Sequence, residues 1–340
     1  MKKTLLSALV AVLGFTTQAT AQTMLATLHH NGEIKTFYGA TALRDAHTAA
    51  TSGDVITLSS GTFVSTDITK GITLRGAGME LDTLTGTAPT IITGNFYINL
   101  ADTETNRLTI ESIYHNHSIY YKGTLTNAMF MKSRLYDISY SSGSMKNASF
   151  IHCKIANNLT LNTNSSASCI NCAIEDPKSY DPNTSNFEFQ NCVIKFEDYN
   201  HEDIKSSSLK NCLIYTRKDV YISISSSNTV YYCLGFNQNT YNPMFKEIPN
   251  STNTYISDIT TIFKTYTGQS LQKLDGENFE LTDEAKKKYL GSDGTEVGIY
   301  GGKLPFDAVS TNPRITKCEV DGKTTVDGKL SVKVEVNGKN

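Results

Sequence analysis

Apolar positions recur through the middle of the chain with a period near twenty residues. Cys153, Cys172, Cys192, Cys212 and Cys233 are separated by 19, 20, 20 and 21 residues. Three places before them stand Phe150, Cys169, Phe189, Leu209 and Val230, and two places after the first four stand Ile155, Ile174, Ile194 and Ile214. Asn171, Asn191 and Asn211 directly precede the middle three cysteines. The stretch FMKSRL (130–135) fits the same frame with Ser133 in the cysteine place, and TIESIY (109–114) fits it more loosely. The unit reads apolar-x-Asn-Cys-x-Ile. It is too short for a helix pair or a propeller blade. It fits one coil of a parallel β-helix, with three short strands and three turns, stacked about 4.8 Å above the coil before.

The phase inside the unit predicts a corner. Phe189 and Cys192 are three apart, so one unbroken strand would send them to opposite faces. A bend at Asn191 turns both inward, and Asn tolerates the left-handed backbone that a tight corner needs. Asn171, Asn191 and Asn211 are read as a structural ladder whose amides bond from coil to coil. The cysteine column is read as free, stacked core thiols, because cysteine is small and buries well. Disulfides between coils are disfavoured by parallel Cβ directions, and no CxxC pair supplies a tetrahedral metal set.

The flanks complete the outline. Residues 40–50 read as a short helix covering the first coil. The segments HSIYY, DISYS, NLTLN and DVYISIS, beginning at His117, Asp137, Asn158 and Asp219, read as a further strand of each coil. With Ile119, Ile138, Leu159 and Ile222 inward, Tyr120, Ser139, Thr160 and Ser223 form an outward row of candidate ligand-binding positions. LTDEAKKKYLG (281–291) reads as a helix capped by Thr282, with acids in its first turn and lysines in its last. After residue 311 two strands are predicted, 314–320 and 329–336, the second by the strict alternation of Leu330, Val332, Val334 and Val336 with polar residues. Two strands alone are rarely stable, so they are expected to rest on the coils or on a partner.

GDVITLSSGTF followed by ITKGITLRGAG (53–63 and 68–78), with the repeat behind them, resembles the N-terminal cap and first coils of the pectate-lyase-like right-handed β-helix superfamily. Exported β-helix proteins of gut Bacteroidetes are the members it looks most like, across residues 25–306. The resemblance implies an all-β, single-stranded right-handed parallel β-helix with an N-terminal capping helix and a short C-terminal β extension. DGTEVGIYGG (293–302) is similar to the segment that closes the helix in the same proteins. There Glu296 and the glycines serve the turn. The resemblance implies no single activity, since the superfamily holds lyases, hydrolases, esterases and adhesins.

Composition narrows the setting. Lys2-Lys3, an apolar run over 5–15 and Ala19-Thr20-Ala21 form a signal peptide over 1–21, cut before Gln22. That run is too short to span a bilayer, and no later stretch spans one. The mature chain is expected in the periplasm, at the cell surface or outside the cell, with the β-helix over 22–306 and the extension over 311–340. Without the signal 29 basic residues face 33 acidic, a net charge of −4, which argues against a nucleic-acid partner. Trp is absent, but 18 Tyr are available for stacking on sugars.

Candidate chemistry is thin. Lyase relatives use a strong base and calcium-holding acids. Glu175-Asp176 with Asp181, and Glu197-Asp198 with Glu202-Asp203, lie in successive long turns. Glu197, Asp198 and Asp203 are therefore the candidate calcium ligands, against the blander reading of solvated turn acids. Otherwise no cofactor is expected. Asp137 is the one acid placed on the groove strands, with Lys122 and Lys205 as candidate cationic partners, whereas Arg75 reads as structural. His115 and His117 flank Asn116 in a turn and could supply a base or metal ligands, but an isolated His-x-His in a turn reads as exposed. There is no paired-carboxylate, GxSxG, HExxH or P-loop motif. The favoured expectation is a non-catalytic surface or extracellular component that binds a polysaccharide or a surface protein. The alternative is a carbohydrate-active enzyme, a polysaccharide lyase or glycoside hydrolase.

Overall fold

A computed structural model describes residues 24–100, 107–197, 204–216, 224–237, 244–245, 248, 252–266, 278–320 and 328–338. The expected signal peptide, residues 219–223 of the DVYISIS strand with Ser223 among them, and Asp198, Glu202 and Asp203 lie outside these residues.

The chain winds into a right-handed parallel β-helix of about nine coils. One sheet runs through Val55–Leu58, Thr73–Arg75, Thr109–Glu111, Met129–Met131, Ala148–Ile151, Ser166–Ile170, Asn186–Gln190, Ser208–Lys210 and Thr229–Tyr231, which define coils 1 to 9. The second runs from Gly61–Val64 to Thr254–Tyr255, and in coils 3 and 4 its strands continue onto a third side as Tyr114–Thr126 and Arg134–Lys146. The first coil is closed by the antiparallel pair Leu25–His30 and Glu33–Tyr38 and by the helix Ala42–Ala49, which buries Ala42, Leu43 and Ala46. This is the expected cap.

The repeat packs in register. Phe130, Phe150, Cys169, Phe189, Leu209 and Val230 form one inward column of the first sheet. Leu135, Ile155, Ile174, Ile194 and Ile214 form another in the second. Cys153, Cys172, Cys192, Cys212 and Cys233 are free thiols at 0% exposure, piled at the corner between them. Each Sγ donates to a carbonyl of the coil below, as Cys192 does to Cys169 at 3.2 Å, and several accept the preceding cysteine's amide, as Cys212 does from Cys192 at 3.4 Å. Burial in this apolar column pushes the Cys169, Cys172, Cys192 and Cys233 thiols well above their usual range. Such thiols are poor nucleophiles and poor metal ligands.

The corner backbone is left-handed at Asn171, Asn191 and Asn211, with φ of 49°, 52° and 56°, as expected. The same conformation appears at Ser112, Lys132, His152 and Tyr232, where no Asn signals it. The asparagine amides correct one expectation, since they do not bond from coil to coil. Asn171 Nδ2 donates to the carbonyls of Ile299 and Gly301 at 2.7 and 2.8 Å, and Asn211 Oδ1 accepts from the Ser292 amide at 2.9 Å. Left-handed corners splay these side chains away from the axis, toward a segment that returns along the outside. The coil-to-coil ladder stands at another corner and is made mainly by serine. There Ser165 Oγ accepts from Met145 N–H, Ser185 Oγ from Ser165 N–H and Ser207 Oγ from Phe187 N–H, at 2.9–3.0 Å.

After the coils, Thr282 caps the short helix Asp283–Lys288 by accepting the Ala285 amide, as expected. Ile259, Ile262, Phe263, Phe279, Leu281, Ala285, Val297 and Ile299 then form a second apolar cluster with Ala156, Ala173, Val193, Leu213, Tyr215 and Leu234 on the outer face of the second sheet. From residue 291 the chain runs back along the corners toward coil 2. His152 Nε2 donates to Leu304 O, Lys132 Nζ to Asp307 and to Val309 O, Asn312 Nδ2 to Gly76 O, and Arg314 pairs with Asp82. Thr311 meets the buried Glu111. Gly301 is required here, because a Cβ would stand 2.7 Å from Asn191 Nδ2 and clash with the Glu296 carbonyl. The chain finishes in an antiparallel hairpin, Arg314–Val320 and Val332–Asn337.

Candidate functional site

The outward row predicted for the third side exists in part. Tyr97 pairs in register with Tyr120, Tyr120 with Ser139, and Thr160 with Lys178. Ser139 and Thr160 each follow a paired residue, Ile138 and Leu159. One column thus climbs through Tyr97, Tyr120, Ser139, Thr160 and Lys178. The Tyr97 and Tyr120 rings stack with centroids 5.4 Å apart and planes 22° off parallel, and Lys122 Nζ lies 4.5 Å from the Tyr97 centroid. Since the rings stack along the axis, the far face of Tyr120 looks toward the small Ser139. Thr160 is outward by register, yet only 9% exposed. Tyr140 and the 71% exposed Tyr180 meet edge to face beside it, 5.7 Å apart.

Further along the same strands opens a groove of about 640 Å³ lined by Thr124, Ser142, Ser144, Lys146, Asn162, Thr163 and Asn164 with Gly123 and Gly143. The two glycines make the groove. A Cβ at Gly143 would stand 1.8 Å from the Gly123 carbonyl oxygen, so only glycine lets coils 3 and 4 pinch together here. Asn162 Nδ2, from coil 5, donates to Gly143 O at 2.5 Å. The remaining lining is hydroxyl and amide, with Lys146 the one cation in it.

Asp137 sits beside this row but is saturated. Its Oδ2 accepts from Ser139 Oγ at 2.9 Å and its Oδ1 from the Asn158 and Asn157 amides at 2.9 and 3.4 Å, and the residue is 6% exposed. These bonds tie coil 4 to coil 5. Lys122 belongs to coil 3 and is engaged with Tyr97. Lys205 precedes the strand of coil 8, four coils and about 19 Å along the axis from Asp137 at one coil per ~4.8 Å. The three candidate catalytic residues are therefore not assembled into one site.

The acidic turn is also differently built. Glu197 bonds the ammonium of Lys195 at 2.5 Å, and the Lys195 side chain is 1% exposed. Register places Glu175 and Tyr215 on either side of Lys195. Asp176 Oδ1 accepts the Glu197 amide at 2.9 Å. Among the described residues the cation facing Glu197 is thus a lysine of this chain.

His115 is not an exposed turn residue. It lies in a strand at 0% exposure, opposite Ile92 and Leu135, and so fills the isoleucine column. The repeat held the signal: His115 stands two places after Ile113, as Ile155 stands after Cys153. Its ring stacks on Phe96 at 4.6 Å, and Nε2 donates to Gly94 O at 2.9 Å. Burial holds its pKa down at about 4, against the smaller opposing effect of the Gly94 bond. His117 is exposed and bonds Asn116 Oδ1. The buried ring must charge when the chain unfolds in acid. Its stabilising contribution is present above about pH 6.5 and lost as the pH falls to about 4. We expect the wild type to lose roughly 2–3 kcal/mol more than His115→Leu over that range, read from urea midpoints. Identical pH profiles for the two proteins would refute this.

A larger cleft, about 850 Å³, lies between the first two coils and the root of the hairpin, lined by His29, Thr57, Arg75, Asp82, Asn312 and Arg314 among others. Its charges are internally matched: Arg75 bonds Glu111 at 3.1 Å and Arg314 bonds Asp82 at 2.7 Å. Arg75 is structural, as expected. Among the described residues no helix is long and apolar enough to cross a membrane. No family model, curated protein or solved structure matches this chain.

Proposed function

We propose that the protein is an exported, non-catalytic β-helix of the pectate-lyase-like kind that binds a neutral glycan strand on its third side. The observation that carries this reading is the stacked Tyr97–Tyr120 pair of the outward row, with Tyr120 on the strand that three residues later enters a groove of hydroxyl and amide groups with one lysine, Lys146. A pyranose ring offers an apolar face to an aromatic ring and hydroxyls to side chains such as Ser142 and Asn162. Coils repeat at about 4.8 Å, close to the spacing a saccharide chain needs to place successive rings along one row. The non-catalytic reading is supported by Asp137, whose carboxylate already accepts three bonds, and by the separation of Lys122 and Lys205 along the axis.

The test is calorimetric titration with a panel of neutral and acidic oligosaccharides, beside assays for unsaturated products and new reducing ends. Tyr120→Ala is expected to weaken binding about tenfold or more with no change in melting temperature. No binding across the panel, or binding indifferent to Tyr120, would sink the proposal. Turnover by the wild type that vanishes in Asp137→Ala would replace it with the enzymatic reading.

A further inference from the structure

Among the described residues nothing packs on the apolar face of the C-terminal hairpin. Its register sets Ile315 opposite Val336, Cys318 opposite Val334 and Val320 opposite Val332. A bulge between Ile315 and Lys317 keeps Ile315 in phase with the others, so all six side chains share one face. Lys317 opposite Glu335 and Glu319 opposite Lys333 occupy the other face as complementary pairs. Every residue of Val332–Asn337 is exposed, and Ile315, Val320, Val332, Val334 and Val336 are each 47–59% exposed. Cys318 is the one exposed cysteine of the seven.

We infer that two copies of this chain pack these faces together as a two-layer sandwich about a two-fold axis. Three arguments select a second copy as the occupant. A two-stranded hairpin is marginal in water unless its apolar side is covered. The face carries no charge, and the charges behind it are matched across the strands, so it suits another uncharged, flat, β-branched surface. A two-fold interface needs one self-complementary patch, and this patch supplies it: Cys318 and Val334 lie mid-face, near the axis, with an aliphatic cross-strand pair at each end. Covering it on both copies removes on the order of 1,000 Å² from water, the lower bound for a specific interface. The expected assembly is therefore a reversible dimer and not an obligate one. Sheets in such a sandwich lie about 10 Å apart, which sets two inward-pointing Cys318 thiols near the axis facing each other, beyond disulfide range but within the span of a short bifunctional maleimide.

The experiment uses the full-length chain in sedimentation equilibrium across a range of concentrations. A monomer–dimer equilibrium is expected. Val334→Lys should weaken it at least about tenfold by burying an unpaired charge, while Lys333→Ala, on the charged face, leaves it intact. The melting temperature of the coils should stay unchanged in both. A short bismaleimide, adding one Cys318 thiol at each end, should yield a covalent dimer on denaturing gels that is lost in Cys318→Ser. A monomer at every concentration overturns the inference. So does a dimer indifferent to Val334→Lys, which would use another surface, or a dimer in which Cys318 never cross-links.

Discussion

Phe150→Ala is expected to remove about 3–5 kcal/mol of unfolding free energy. The ring is fully buried and stacks on Phe130, with centroids 4.8 Å apart and planes 7° from parallel. Its other neighbour in the column is Cys169, too small to refill the space. Sheet hydrogen bonds hold the coils at fixed spacing, so the walls cannot close on the cavity. Urea denaturation should show a lower midpoint with an unchanged slope. A loss under about 1 kcal/mol would mean that the column relaxes and that the inner wall is not close-packed.

Lys195→Met should be about as costly, roughly 3–5 kcal/mol, for an electrostatic reason. Methionine keeps the length of the side chain but removes the ammonium that faces Glu197, whose own side chain is only 14% exposed. A carboxylate so shielded and deprived of its partner is far less stable than a neutral pair. The double variant Lys195→Met/Glu197→Gln should therefore recover most of the loss. Equal instability of single and double variants in a double-mutant cycle would show that packing, not charge, sets the cost.

These two sites differ in how well the sequence announces them. Phe150 was legible because a coil of nearly constant length repeats its inward positions, and the cysteines mark the frame. The corner was legible at Asn171, Asn191 and Asn211 because Asn advertises a left-handed backbone, but not at Lys132, His152 or Tyr232, where stacking on neighbouring corners imposes it. His115 was misplaced because its polarity outweighed its position in the frame. The ion pair of Lys195 was hidden for a related reason. A lysine in a strand reads as solvent-facing, and only the C-terminal cluster packed over the second sheet encloses that face. The direction of the corner asparagines depended on a segment more than eighty residues downstream of Asn211, a long-range pairing that periodicity does not encode. The third-side groove was half legible. Tyr120 and Ser139 follow from alternation, whereas the pinch at Gly123 and Gly143 emerges only when two coils are stacked.

The segment that returns from residue 291 to Arg314 alters how the whole molecule should come apart. A bare solenoid frays from its ends, since each coil is held only by the one below and the one above. Here a single tether is fastened at Asn211, Asn171, His152, Lys132, Glu111 and Asp82, which belong to coils spread along most of the axis. A middle coil cannot swing out without first lifting that tether, so stepwise unravelling gives way to a concerted opening. Amides from the second coil to the eighth are thereby bound to a common protection against exchange, in place of a gradient falling toward the C-terminal end.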